Sequence, residues 1–215
     1  MSSRRRLTRA ETKAETRGRL LHAAMRIFAK EGYEGSSVKR IADEAGYTTG
    51  ALYAHFASKE DLFLTLLEER YETKLADVAA LVADADVRDD AVAERFANLR
   101  DIEGDWDLLA TEFWFYAVRH PHVRHKLADR YRVLRDGVAT MIETELARRG
   151  TQPTLPVDQL ATIVIALGDG LGSLRRIDPD AAPAQLVPTA TNAILKALAK
   201  TKPEPQHRPR KRPRT

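Results

Sequence analysis

Residues 35–59 read GSSVKRIADEAGYTTGALYAHFASK, two short apolar-patterned runs either side of a glycine. Val38, Ile41, Ala42 and Ala45 fall at the 3.6-residue spacing of one helix face, and Ser36 or Ser37 stands where a side-chain oxygen can accept first-turn amides. Gly46 follows, the residue type that carries a chain through left-handed backbone just past a helix end. Thr48 offers a second cap, and Leu52 and Phe56 lie four apart on a second short helix. Two short helices joined by a glycine turn make a helix-turn-helix. Small Ala42 lets the two axes cross closely, which leaves Thr49, Gly50, Tyr53 and His55 facing outward, with Ala51 and Ala54 able to meet thymine methyls. A helix about 10 Å long, at about 1.5 Å per residue, enters a major groove about 12 Å wide without a clash.

Helical periodicity extends outward from there in both directions. Leu20, Leu21, Ala24, Ile27 and Phe28 make one stripe closed by Gly32, which predicts a first helix over about Thr16 to Glu31. Ser58 caps a fourth helix, with Glu60 and Asp61 where the dipole favours acids, running through Leu62, Phe63, Leu66, Leu67, Tyr71 and Leu75. An acidic loop around Asp84 precedes a pattern from Asp89 with Val92, Phe96 and Leu99. Residues 105–119 are strongly apolar, and Pro121 suits the first turn of the longest helix. Two last helices are expected over 157–176 and about 184–200, with Pro188 in the first turn of the second. The predicted fold is all-α, about nine helices with no strand pair: a basic disordered arm (1–15), a three-helix reader (16–59), an effector-binding and dimerisation region (60–200) and a basic, proline-rich disordered tail (201–215).

Charge supports this division. The chain has 215 residues and a net charge of +4, but residues 1–59 carry +6, residues 60–201 carry −7 and residues 202–215 carry +5. The basic third is the part suited to phosphate. With no cysteine there is no disulfide, thiolate metal site or thiol nucleophile, and no run of 18 to 20 apolar residues predicts a membrane span. A cytoplasmic protein with no membrane partner, catalytic residue, cofactor or metal is expected.

The run Gly35-x-Ser37-Val38-x-x-Ile41-Ala42-x-x-Ala45-Gly46-Tyr47-x-x-Gly50-x-Leu52-Tyr53-x-His55-Phe56-x-Ser58-Lys59-Glu60-x-Leu62 resembles the DNA-binding signature of TetR/AcrR-type transcriptional regulators, closely over about residues 16–65. The resemblance implies that Ser37 binds phosphate at a helix start and that Lys39 reaches a base. It implies that Thr48, Thr49 and Gly50 open the recognition helix, that Tyr53 and His55 touch the backbone, and that Lys59 reaches phosphate. The sequence departs from a base-reading helix in one respect: Thr49, Gly50, Ala51 and Ala54 lack the long side chains that make bidentate base contacts. Base reading is therefore expected to lean on Lys39, methyl contacts and DNA shape, with the Arg4–Arg9 arm as a minor-groove contact or a solubilising tail. Plainer roles stand beside these: His55 as a packed residue fixing the helix, Tyr53 as core with its hydroxyl at the surface.

Four consecutive aromatics, Phe113 to Tyr116, surround a helix and predict that it is central. They are core or, together with Phe96, Trp106, Tyr131 and Met141, the wall of a pocket for an apolar or flat effector, with Asp169, Glu112 and Arg119 as polar hooks. The pocket candidates are Phe96, Trp106, Phe113, Trp114, Tyr116, Tyr131, Met141 and Asp169. The dimer candidates are Leu160, Ile163, Val164, Leu167, Gly168, Leu171, Ile194 and Leu198, on helices expected to build a four-helix interface. Gly168-Asp-Gly-Leu-Gly-Ser173 also imitates a phosphate-binding loop after a strand, but no strand stands upstream and Ser173 occupies the third-glycine position. His120, His122, His125 and Asp129 lack a second matched pair for a metal site. The reading is a homodimeric regulator of a palindromic operator, most simply a repressor released when an unknown small molecule moves helix 4. Its rivals are an activator of the same fold, a helical adaptor binding nucleic acid through its tails, and a nucleotide-binding enzyme built on the glycines.

Overall fold

The computed structural model describes residues 8–83 and 106–201. Its elements in chain order are α1 (Arg9–Gly35), α2 (Val38–Ala45), α3 (Thr49–Tyr53), α4 (Lys59–Ala83), α5 (Trp106–Arg119), α6 (Pro121–Arg148), β1 (Thr151–Pro153), α7 (Val157–Ile177), α8 (Leu186–Ala197) and β2 (Ala199–Thr201). The all-α class holds, with eight helices among the described residues. The helical pattern expected from Asp89 lies outside them.

Three expectations are corrected. α1 begins at Arg9, not Thr16, because Thr8 and Glu11 form a reciprocal capping box: the Glu11 N–H donates to Thr8 Oγ1 at 3.2 Å and the Thr8 N–H to Glu11 Oε2 at 2.7 Å. Residues 9–15, expected in a disordered arm, are helical. A strand pair was not expected, yet β1 and β2 pair antiparallel with Thr151 opposite Thr201 and Pro153 opposite Ala199. Gly150, at φ 65°, turns the chain out of α6, and the Thr154 N–H extends the pairing to the Leu198 carbonyl at 2.8 Å. The helix expected to reach residue 200 ends at Ala197, and Thr201, assigned to the tail, belongs to β2.

The third correction concerns α5. Phe113 is buried, but Trp114 and Phe115 are 59% and 55% exposed, so this helix lies against the core on one side only. Phe113 stacks on Phe63 at 4.2 Å, and Phe63 also stacks on Trp106 at 5.7 Å and meets Phe28 and Tyr33 edge-on at 5.2 Å. This aromatic group joins α1, α4 and α5 into one cluster that reaches Ile41, Leu52 and Phe56 of the reader and Val123 and Leu127 of α6. The reader therefore shares its core with the body. A second cluster gathers Ile142, Leu146, Leu160, Ala161 and Leu195 at the other end of α6. The two are bridged by a close crossing of α4 and α6, where a Cβ on Gly137 would stand 2.7 Å from Leu75 Cδ1.

Candidate DNA-reading interface and effector region

The reader is built from caps inward. Ser37 Oγ accepts from the Arg40 N–H at 3.3 Å and Thr48 Oγ1 from the Ala51 N–H at 3.1 Å, so both short helices start on the hydroxyls that the sequence offers. Gly46 is left-handed at φ 75°, ψ 29°, and its N–H returns to the end of α2. Ile41, Ala42 and Leu52 are fully buried and Phe56 almost so. With that apolar set closed inside, Ser37, Lys39, Thr48, Thr49, Gly50 and Tyr53 are exposed, and Ala51 and His55 are half-buried. Tyr53, at 55% exposure, is not core. His55 lies 6.3 Å from the Phe56 ring, between the packed and the open face.

Four cations in or near the reader are engaged within the protein. Lys59 Nζ donates to the Tyr33 and Ser36 carbonyls at 2.8 and 2.9 Å and sits 4.4 Å above the Tyr33 ring. Burial lowers its pKa, against the opposing pull of Glu60 and Glu34. Arg17 lies 5.4 Å over Phe56 and pairs with Glu69 at 3.1 Å, tying the start of α1 to α4. Arg26–Glu44 at 3.0 Å and Arg40–Glu31 at 2.6 Å pin α2 to α1. Exposed Lys39 carries the one long side chain among the predicted base readers, on the side of α2 away from its buried stripe.

The predicted pocket residues divide into separate places. Phe96 lies outside the described residues. Trp106, Phe113 and Tyr116 belong to the aromatic cluster around Phe63 and Tyr33, and Trp114 points outward. Met141 is half-buried on α6. Tyr131 and Asp169 act electrostatically on Tyr71, which the sequence places on the α4 stripe and not in the pocket set. Burial pushes the Tyr71 hydroxyl up, reinforced by Asp169, then Tyr131 and Asp107; burial and Asp169 likewise raise Tyr131. Glu112, read as a pocket hook, instead accepts the Tyr33 N–H at 3.2 Å. His120 stacks on Tyr116 at 3.9 Å, with Nδ1 2.7 Å from the Tyr116 carbonyl. Among the described residues no group of three or more His, Asp or Glu is placed to hold a metal ion.

On α7, Leu160 and Gly168 are buried in the protomer's own core, which corrects their place in the expected dimer stripe. Val164, Leu167, Leu171, Ile194 and Leu198 are half-buried. The outward stripe is Ile163, Ala166, Gly170, Leu174 and Ile177, turned part of the way around the helix from the predicted one. α7 is helical through Gly168–Ser173, where Ser173 Oγ donates to the Asp169 carbonyl at 2.9 Å, so these glycines form no phosphate loop. By length and composition alone α7 could cross a membrane; it is the only described helix that meets that measure.

The sequence comparisons agree with this architecture. The model of bacterial regulatory proteins of the tetR family matches residues 20–66, and that of the BetI-type transcriptional repressor C-terminal region matches residues 103–200. The HTH-type transcriptional repressor AcnR of Corynebacterium diphtheriae is 30% identical over 154 residues, covering 72% of this chain and 77% of AcnR. Two solved structures share the fold. A TetR transcription regulator from Haloarcula marismortui superposes with a TM-score of 0.67 at 16% identity over 87% of this chain and 100% of that one. A transcriptional regulator from Saccharomonospora viridis in complex with choline gives 0.59 at 24% over 87% and 99%. The chain belongs to the TetR family of bacterial regulatory proteins: it is a helix-turn-helix, DNA-binding transcriptional regulator.

Proposed function

We propose that the protein is a homodimeric repressor that binds a palindromic operator through α2 and α3 and leaves it when a small molecule enters the body. The observation that carries this is the reader's outer face: Ser37, Lys39, Thr48, Thr49, Gly50 and Tyr53 stand exposed around a closed apolar interior. Side chains this short favour reading by methyl contact and DNA shape, with Lys39 as the base-reaching residue. Residues 16–59 act as reader, residues 60–200 as effector-binding and dimerisation region, and the protein works in the cytoplasm. One reader presents one recognition helix, so a palindrome calls for a two-fold pair. The outward stripe of α7 gives that pair an apolar surface, which also explains a long apolar helix with little of its length buried in the protomer.

Tyr71 and Tyr131 lie in the field of Asp169, with Asp107 also acting on Tyr71. Aromatic residues in a negative field favour a small organic cation as effector. The regulator from Saccharomonospora viridis holds choline, which makes choline the first compound to titrate.

A binding selection on genomic fragments with the purified protein identifies the operator. On that operator, affinity is expected to fall steeply between about 50 and 300 mM salt as counterions return to the phosphates. Lys39→Ala is expected to weaken specific binding by about 1–3 kcal/mol while changing non-specific binding far less. Salt-independent binding would end the phosphate-contact reading, and an unchanged specificity ratio in Lys39→Ala would remove that residue from base recognition.

A further inference from the structure

The break in α1 and the face of α5 fit one another. Gly32 has φ 72° and ψ 171°, a positive-φ conformation essentially confined to glycine, and the chain then makes one more turn to Gly35 before α2 begins. The N–H that follows this break, on Tyr33, finds its acceptor 79 residues away: Glu112 Oε2 at 3.2 Å. The same carboxylate oxygen lies 2.9 Å from where a Cβ on residue 32 would be, so only glycine leaves the oxygen its place. One turn further along α5, the Tyr116 hydroxyl donates to Glu60 Oε1 at 2.9 Å, in the first turn of α4. From inside the reader, Lys59 holds the Tyr33 and Ser36 carbonyls and the Tyr33 ring is fully buried.

Glu112 and Tyr116 are four residues apart on one face of α5. Together they hold two points of the reader against the body, the corner between α1 and α2 and the start of α4. A one-residue slip of α5 moves it about 1.5 Å and turns it about 100°, which removes both contacts at once. We propose that Glu112 is a positioning residue of the DNA reader, receiving the backbone N–H left at the Gly32 break so that α5 sets the reader's angle directly, alongside α4. This deepens the proposed release mechanism and rests on it, because it names the second element through which a change in the body reaches α2 and α3.

The test uses the full chain, whose lack of cysteine allows clean placement of spin labels. Labels at Ala29→Cys on α1 and Glu143→Cys on α6, diluted into unlabelled protein, report the angle between reader and body. Glu112→Gln keeps an acceptor oxygen and is expected to retain a narrow distance distribution and operator-fragment affinity within about two-fold of the parent. Glu112→Ala is expected to broaden the distribution and weaken binding about ten-fold, with the thermal midpoint still that of a folded protein. An Ala variant with parental distances and affinity would overturn the proposal. So would equal losses in the Gln and Ala variants, since charge or packing, not the acceptor, would then be what matters. The distance measurement needs no DNA, so a parent that binds no operator would defeat the proposed function and leave the role of Glu112 decided separately.

Discussion

Gly32 combines two demands on one residue, a positive φ and an empty Cβ position against Glu112. Gly32→Ala meets both penalties, backbone strain and a displaced carboxylate, and is expected to lower stability by about 1–3 kcal/mol in denaturant unfolding. A loss under about 0.5 kcal/mol would mean that the corner relaxes freely. Glu60 gives a pH signature. Burial works to raise its carboxyl, but hydrogen bonds from its own backbone N–H, Ser58 and Tyr116, together with His122, outweigh burial and hold it below its ordinary value of 4.5. Because the folded-state pKa is the lower one, the contribution is complete above the ordinary carboxylate range and disappears as pH falls through the folded value. Glu60→Gln should therefore lose less stability than the parent between neutral pH and about pH 3.5, measured by denaturant midpoints. Equal acid sensitivity would show the carboxylate to be unimportant. At this scale the sequence was a partial guide: the left-handed Gly46 and the caps Ser37, Thr48 and Ser58 follow from local chemistry, whereas the partner of Glu112 lies too far along the chain for any spacing to reveal.

Among the elements, α1 shows how a local signal can be passed over. Thr8 and Glu11 carry a complete capping box, but the crowd of arginines around them favours reading a disordered arm. Thr8→Ala is expected to cost about 0.5–2 kcal/mol locally and to speed amide exchange in the first two turns, leaving the rest of α1 protected. Unchanged exchange there would mean that the box does not hold the helix start. The placement of α7 was legible from its periodicity, its facing only in part. Leu160 and Ile163 are equally apolar in sequence, and only the packing of Ile142, Leu146 and Leu195 against the first turns one inward and the other outward. α5 teaches the same about aromatics: Phe113 and Trp114 are adjacent, one sealed and one open. β1 and β2 were out of reach, since three residues have no periodicity and their pairing spans about fifty residues of intervening chain.

For the whole molecule, the division of charge acquires a place. The reader bears a net positive charge and shares a core with a net negative body, so the field of the body discourages DNA from settling on the body's own surface. The proposed pairing is tested on the outward stripe of α7, where Leu174 and Ile177 are 42% and 83% exposed and nothing lies within 4 Å of a Cβ on Gly170. Leu174→Asp is expected to shift sedimentation from dimer to monomer at micromolar concentration without lowering helix content; a variant that stays dimeric would place the interface elsewhere. The short strand pair matters mechanically as well. Thr151 meets Thr201 at the end where the chain enters β1 from α6 and leaves β2 towards the C-terminus. A pull applied between the two chain ends therefore loads these bonds one after another, as a zipper opens, and not all together in shear. Once the strands have parted, the pull at that end next reaches α8, which leads directly into β2.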